Sequence, residues 1–309
     1  MLKFDKLKIV SDIENIEILK QNDFDEIVKN NYIVALKFYM TYPFHLYIEI
    51  DYVSRELVIE FTGKILGVDY PKLISLDNIR QCFENINKMG LCYLNIDAII
   101  SDSKVVKCDV TKDCPCDDIS TLTAFIRSNI SNYYQFSARQ LRNGNFIVEK
   151  NVTTKQSKKR LTIYDKSKQM NKSENKKFME NYNIEPAEFD GLCRFEMNLN
   201  SVAQIKSSLD IPDTNLLTVL SATKNPITEF IDDVVADTDV CIPLTDKQSY
   251  FAYLVLQDCN YDLAQVEAKM RQMYSKKTYF PRVMQPYREA LNNINKHQFS
   301  KQDLLQMLS

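Results

Sequence analysis

Apolar and polar positions alternate with period two over several short stretches of the chain and recur at helical spacing over others. Residues 32–40 (YIVALKFYM) predict a strand. Over 43–51, Phe44, Leu46, Ile48 and Ile50 fall on one face and His45, Tyr47 and Glu49 on the other. After a turn at 52–55, Leu57, Ile59 and Phe61 oppose Val58 and Glu60, so these stretches predict an antiparallel hairpin or meander. Residues 76–89 predict a helix, with Leu76, Ile79, Cys82, Phe83 and Ile86 on its stripe; 118–130 predict another, with Leu122, Phe125, Ile126 and Ile130. Further strands are predicted at 105–111, 133–137, 146–150, 160–164 and 192–199, the 160–164 strand running into a Lys-rich helix of about 15 residues. A helix follows at 201–209. After Pro212 the spacing is helical throughout: 215–222, 227–237, 246–257, 262–274, 283–295 and a last turn at 301–308.

This order predicts an α+β architecture, an antiparallel sheet with flanking helices over residues 1–212, followed by a helical C-terminal domain over 213–309. Composition agrees with a folded globular protein: 45% hydrophobic and 26% charged residues exclude disorder over the whole chain. No apolar run reaches the ~18 residues of a membrane span, and the N-terminus mixes charge with apolar residues, unlike a secretion signal. The expected compartment is the cytoplasm, with no membrane partner.

Charge and residue counts narrow the chemistry. The net charge is −2, yet residues 150–177 hold ten Lys or Arg against Asp165 and Glu174, a net +8. Such a segment suits an anionic partner or a solvated loop. Only His45 and His297 are present, so paired-histidine metal motifs are excluded. No glycine-rich nucleotide loop occurs among five glycines. Eight cysteines are expected to be reduced in a cytosolic chain, and Cys108, Cys114 and Cys116 lack the fourth ligand and the usual spacing of structural zinc. A metal here is a hard ion on carboxylates, Mg²⁺ or Mn²⁺.

Three strands carry polar side chains on one face. Thr162, Tyr164 and Lys166 oppose Leu161 and Ile163; Arg194, Glu196 and Asn198 oppose Cys193, Phe195, Met197 and Leu199; Lys107 and Asp109 oppose Val106, Cys108 and Val110. From the pattern alone a solvated amphipathic sheet is the better account, and a surface for chemistry or for an anion is the alternative.

The ordered motifs VKCDVT, LTIYDKSKQ and LCRFEMNL, with the helical stretch PLTDKQSYFAYLVLQDCNYDLAQV, resemble the replication initiators of filamentous phages, the gene II protein group. More distantly, they are similar to staphylococcal-type plasmid rolling-circle initiators. The resemblance covers roughly residues 40–275 and departs from the family at Lys107, where an arginine is usual. It implies a metal-dependent endonuclease that nicks one DNA strand at an origin, and later rejoins it, through a 5′-phosphotyrosyl intermediate. Tyr164 matches the nucleophile. A phenol with a pKa near 10 is a weak nucleophile unaided, and Lys166 on the same strand face is the candidate to steady the phenolate. Asp109 and Glu196 match the metal-binding acids, with Glu60 and Glu49 as candidates for a third ligand of Mg²⁺ or Mn²⁺. Arg194 is placed to orient Glu196 or to meet a phosphate.

The basic window fits the same partner: Lys155, Lys158, Lys159, Arg160 and Lys168 are candidate phosphate contacts. Tyr133, Tyr134 and Phe136 are either stacking residues for unpaired bases or core of a strand. Lys276, Lys277 and Arg282, among aromatics at 274–282, are a candidate duplex clamp. His45 is weighed as a metal neighbour against a surface histidine beside Tyr47. The resemblance also implies a phage or plasmid origin in the cytoplasm of a bacterial host cell, with host helicase and polymerase as partners. Two other readings remain open: a DNA-binding replication or regulatory protein without catalysis, and a scaffold whose basic loop meets an acidic partner.

Overall fold

The computed structural model describes residues 2–116, 118–152, 158–236, 247–274, 280–296 and 300–309. The chain is mixed α+β and divides into two compact units. The first comprises Met1–Asp117 and Gln140–Phe230, the second Asp118–Arg139 and Ile231–Ser309. Residues 118–139, which the sequence pattern places with the sheet, thus group with the C-terminal helices.

The first unit is built on an antiparallel sheet. Its strands are β1 (Lys3–Asp12), β3 (Asp25–Lys29), β4 (Tyr32–Met40), β5 (Leu46–Asp51), β6 (Glu56–Thr62), β8 (Lys104–Pro115), β10 (Phe146–Lys150), β11 (Arg160–Asp165) and β12 (Leu192–Leu199). Their order is β3-β4-β5-β6-β1-β8-β12-β11-β10. The expected meander is present as β4-β5-β6. β1, for which no strand is predicted, lies in the middle of the sheet. A small separate sheet pairs β2 (Ile16–Ile18) with β7 (Cys92–Leu94).

The period-two pattern separates two faces. Ile9 stands opposite Ile59, Ile59 opposite Ile48 and Ile48 opposite Phe38; all but the half-buried Phe38 are fully buried. On this side, Phe83 of α1 (Ile79–Lys88) meets Phe61 edge-on, their ring centroids 5.7 Å apart. The predicted stripe of α1 is the buried one: Ile79, Cys82, Phe83 and Ile86. α2 (Ile96–Asp102), α6 (Val202–Leu209) and α7 (Leu216–Leu220) also belong to this unit.

The opposite face is polar. One end of it is covered by α4 (Lys166–Met170), α5 (Ser173–Tyr182) and the 3₁₀ segment Gly63–Lys72. The expected single Lys-rich helix is interrupted at Asn171 and Lys172. The cover has its own small core of Tyr70, Leu73, Met170, Phe178, Met179, Ile184 and Phe189.

In the second unit, α3 (Ile119–Ser128) buries the predicted Leu122, Phe125 and Ile126, and Asp118 caps it by accepting from the amides of Ser120 and Thr121. β9 (Phe136–Gln140) follows α3. α8 (Pro226–Val234) crosses the division, and α9 (Lys247–Asp258), α10 (Leu263–Met273), α11 (Phe280–Lys296) and α12 (Lys301–Leu308) complete the chain. Leu256, Val266, Met270, Phe280 and Met284 form the centre of a core here. Among the described residues, no helix is long and apolar enough to cross a membrane.

Candidate active site

The register of three neighbouring strands decides which polar residues meet. Asp109 stands opposite Asn198 and Asn198 opposite Arg160; Thr111 opposite Glu196 and Glu196 opposite Thr162; Asp113 opposite Arg194 and Arg194 opposite Tyr164. Adjacent strands lie about 4.8 Å apart, so side chains on one face of these rows are neighbours. Three sequence-distant motifs therefore converge on one patch of the first unit.

Tyr164, Glu196 and Asp109 are brought together. The Tyr164 hydroxyl donates to Glu196 Oε2 at 3.1 Å. Asn198 Nδ2 donates to Asp109 Oδ1 at 2.8 Å and reaches Glu196 Oε1 at 3.5 Å, tying the two carboxylates through one amide. Burial raises the Asp109 carboxyl to about 6, and Asp5 adds to the rise. Burial likewise raises Glu196 to about 7, with Asp5 and Asp109 repelling its charge. Burial, and after it the charge of the facing Glu196, lifts the Tyr164 phenol well above its ordinary value. Only 5% of Tyr164 is exposed, whereas Glu196 and Asn198 are half-buried, so the patch opens to solvent on the Glu196 side.

Beside this group lies a buried ionic network that sequence reasoning did not assemble. Arg194 is fully buried. It donates twice to Asp113, at 2.6 Å each, once to Asp5 Oδ1 at 2.7 Å and once to the Tyr70 hydroxyl at 3.2 Å. With its guanidinium committed to these groups, Arg194 is a structural cation and does not present itself to a phosphate, contrary to expectation. Burial opposes ionisation of Asp5, but Arg194, Lys166 and Lys64 outweigh it and hold the carboxyl below its usual range. Asp113 lies on the polar face because β8 continues four residues past the predicted strand end. Its alternation with Lys107, Asp109 and Thr111 was the available signal. Tyr70 arrives from a 3₁₀ segment and had no such signal.

Lys166 lies just past the end of β11 and opens α4. Its Nζ donates to the Tyr70 hydroxyl at 2.5 Å and to Gln169 Oε1 at 3.1 Å, rather than to Tyr164. Burial first, then the charge of Arg194, lowers its ammonium to about 7.

The remaining candidates stand apart. Glu60 is on β6, two strands from β8, and meets Lys6 and Lys8, with His45 Nε2 at 3.6 Å. His45 and the two lysines hold its carboxyl below the usual range against burial. Glu49, on β5, pairs with Lys37 at 3.0 Å and accepts from the Tyr47 hydroxyl at 2.7 Å. Neither acid joins Asp109 and Glu196. Among the described residues, no group of three or more His, Cys, Asp or Glu is placed to hold a metal ion. Lys158 and Arg160 both contact Glu149, at 2.9 and 3.2 Å. Lys168 is exposed and pairs with Asp165 at 3.3 Å, and Lys159 is half-buried. Lys155, Lys276, Lys277 and His297 lie outside the described residues. Tyr133 and Tyr134 are exposed in the second unit, and Phe136 is buried there.

No family model matches the chain, and no curated protein matches it significantly.

Proposed function

We propose that the chain is a site-specific DNA nicking and joining endonuclease that initiates rolling-circle replication, with a nuclease-like sheet of the rolling-circle initiator kind. The observation that carries the reading is the hydrogen bond from Tyr164 to Glu196, beside Asp109. In this reading the phenolic oxygen of Tyr164 attacks the phosphorus of one DNA strand. Glu196, whose Oε2 already accepts the hydrogen bond of that phenol, receives its proton as it leaves. The P–O3′ bond breaks, the leaving 3′ oxygen takes a proton from solvent water, and the 5′ phosphate stays on Tyr164 as an ester, which preserves the bond energy needed for rejoining.

Two neighbouring carboxylates that repel one another, one buried and one half-buried, fit a divalent cation, since such an ion relieves the repulsion. Asp109 and Glu196 would hold Mg²⁺ or Mn²⁺, with substrate and water supplying the other oxygens. When bound, the ion would neutralise charge on the phosphate. Arg194, Asp5, Asp113 and Tyr70 position the β8 and β12 ends of the site.

The test uses the full chain, a 3′-labelled single-stranded DNA library of randomised sequence, and Mn²⁺. The expected product is a labelled, detergent-resistant adduct that peptide mapping assigns to Tyr164 and that Tyr164→Phe abolishes. An adduct that survives in Tyr164→Phe, or none with the wild-type chain, sinks the reading. A non-catalytic DNA-binding protein is the second reading. It is favoured by the 5% exposure of Tyr164 and the high pKa of its phenol. It predicts DNA binding without any adduct.

A further inference from the structure

The polar face does not end at the carboxylates. Tyr39 stands opposite Tyr47, Tyr47 opposite Glu60, Glu60 opposite Lys8, and Lys8 opposite Lys107. In the adjoining row, Lys6 stands opposite Asp109. Four strand spacings separate β4 from β8, so the first row is about 19 Å long. It begins at an aromatic pair and ends beside the candidate active site. Tyr39 is 61% exposed, and its ring meets His45 edge-on at 5.6 Å, which leaves a broad aromatic surface toward solvent. The Tyr47 ring lies 5.7 Å below Lys8 Nζ. Lys6 and Lys8 share the single carboxylate of Glu60, and Lys107 is in no ion pair among the described residues.

We infer that this row is a binding track for a short segment of single-stranded DNA leading to Asp109 and Glu196. The chemistry is complementary in two respects. Lys6, Lys8 and Lys107 outnumber the two acids they face, Glu60 and Asp109, and match a phosphate backbone. Tyr39 offers a π-face on which an unpaired base stacks, and the interior base pairs of a duplex have no such face to give. The inference rests on reading the Asp109–Glu196 site as one that acts on DNA.

Fluorescence anisotropy with a labelled twelve-residue oligothymidylate tests it, using the full chain without added metal. Tyr39→Ala is expected to weaken binding about 5- to 150-fold, the loss of one stacked base. Tyr39→Phe, which keeps the ring, binds as wild type. Replacing Lys8 and Lys107 by Ala lowers the slope of log affinity against log salt by about 0.7 for each lysine. Wild-type affinity in Tyr39→Ala with an unchanged circular dichroism spectrum overturns the track. So does equal affinity for a duplex of the same length, or tighter binding of the matching RNA. Absence of the Tyr164 adduct, with Tyr39-dependent binding retained, leaves the track standing and removes only the nicking reaction. The converse result removes only the track.

Discussion

Arg194 and the two raised carboxylates respond to substitution in opposite ways. Truncating Arg194 to Met leaves the half-buried Asp113 and Asp5 without this cation, and such a loss costs up to about 3–5 kcal/mol. Urea denaturation should show that drop. Arg194→Lys should recover only part of it, because an ammonium cannot make the paired contact with Asp113. For Asp109 and Glu196 the folded state favours the protonated form, because their carboxyls are raised to about 6 and about 7. The stability they contribute is complete below about pH 4 and is lost as pH rises through those values. Asp109→Asn should therefore raise the melting temperature over wild type at pH 8 and not at pH 4. Millimolar Mg²⁺ should raise the wild-type value at pH 8 more than that of the variant. An equal shift from the substitution at both pH values would contradict this electrostatic account.

At the scale of elements, Gly67 controls how the segment carrying Tyr70 lies. It has φ +62°, and a Cβ there would sit 2.8 Å from the Tyr182 ring of α5. Gly67→Ala should cost about 1–3 kcal/mol of strain, read as a lower urea midpoint. If Tyr70 shifts with the segment, Lys166 and Arg194 each lose a hydrogen bond. Much of the sheet was legible in the sequence because β5, β6, β11 and β12 alternate cleanly. β1 was not, since Asp5 and Lys6 fall side by side where the pairing with β8 shifts register, and that breaks the period-two signal. β3 was not, because all five of its residues are exposed and leave no apolar face to recognise. The candidate site was legible as far as neighbouring strand faces carry it. Glu60 and Glu49 share the predicted face, but strand order, which alternation does not encode, puts β6 and β5 on the far side of β1. Lys166 continues the alternation of β11 on paper, but the chain has turned into a helix by then.

At the scale of the whole molecule, the second unit is assembled from two separated pieces of chain. The amide of Ser131 donates to the carbonyl of Val234 at 2.7 Å, and Ala236 donates to Asn129 at 2.8 Å. A chain ended after Phe230 lacks these partners. Hydrogen exchange at Ser131 should speed up in that fragment, while the amide of Val105, bonded to Thr214 within the first unit at 2.8 Å, keeps its protection. Unchanged exchange at Ser131 would show that 118–139 orders itself without the C-terminal helices. The same division sets a schedule during synthesis. Residues 129–131 leave the ribosome long before 233–236 exist. At about 5–20 residues per second, translating 140–230 takes roughly 5–18 s. For that interval the nascent chain holds a half-made module while the sheet around β8 is still gathering its later strands.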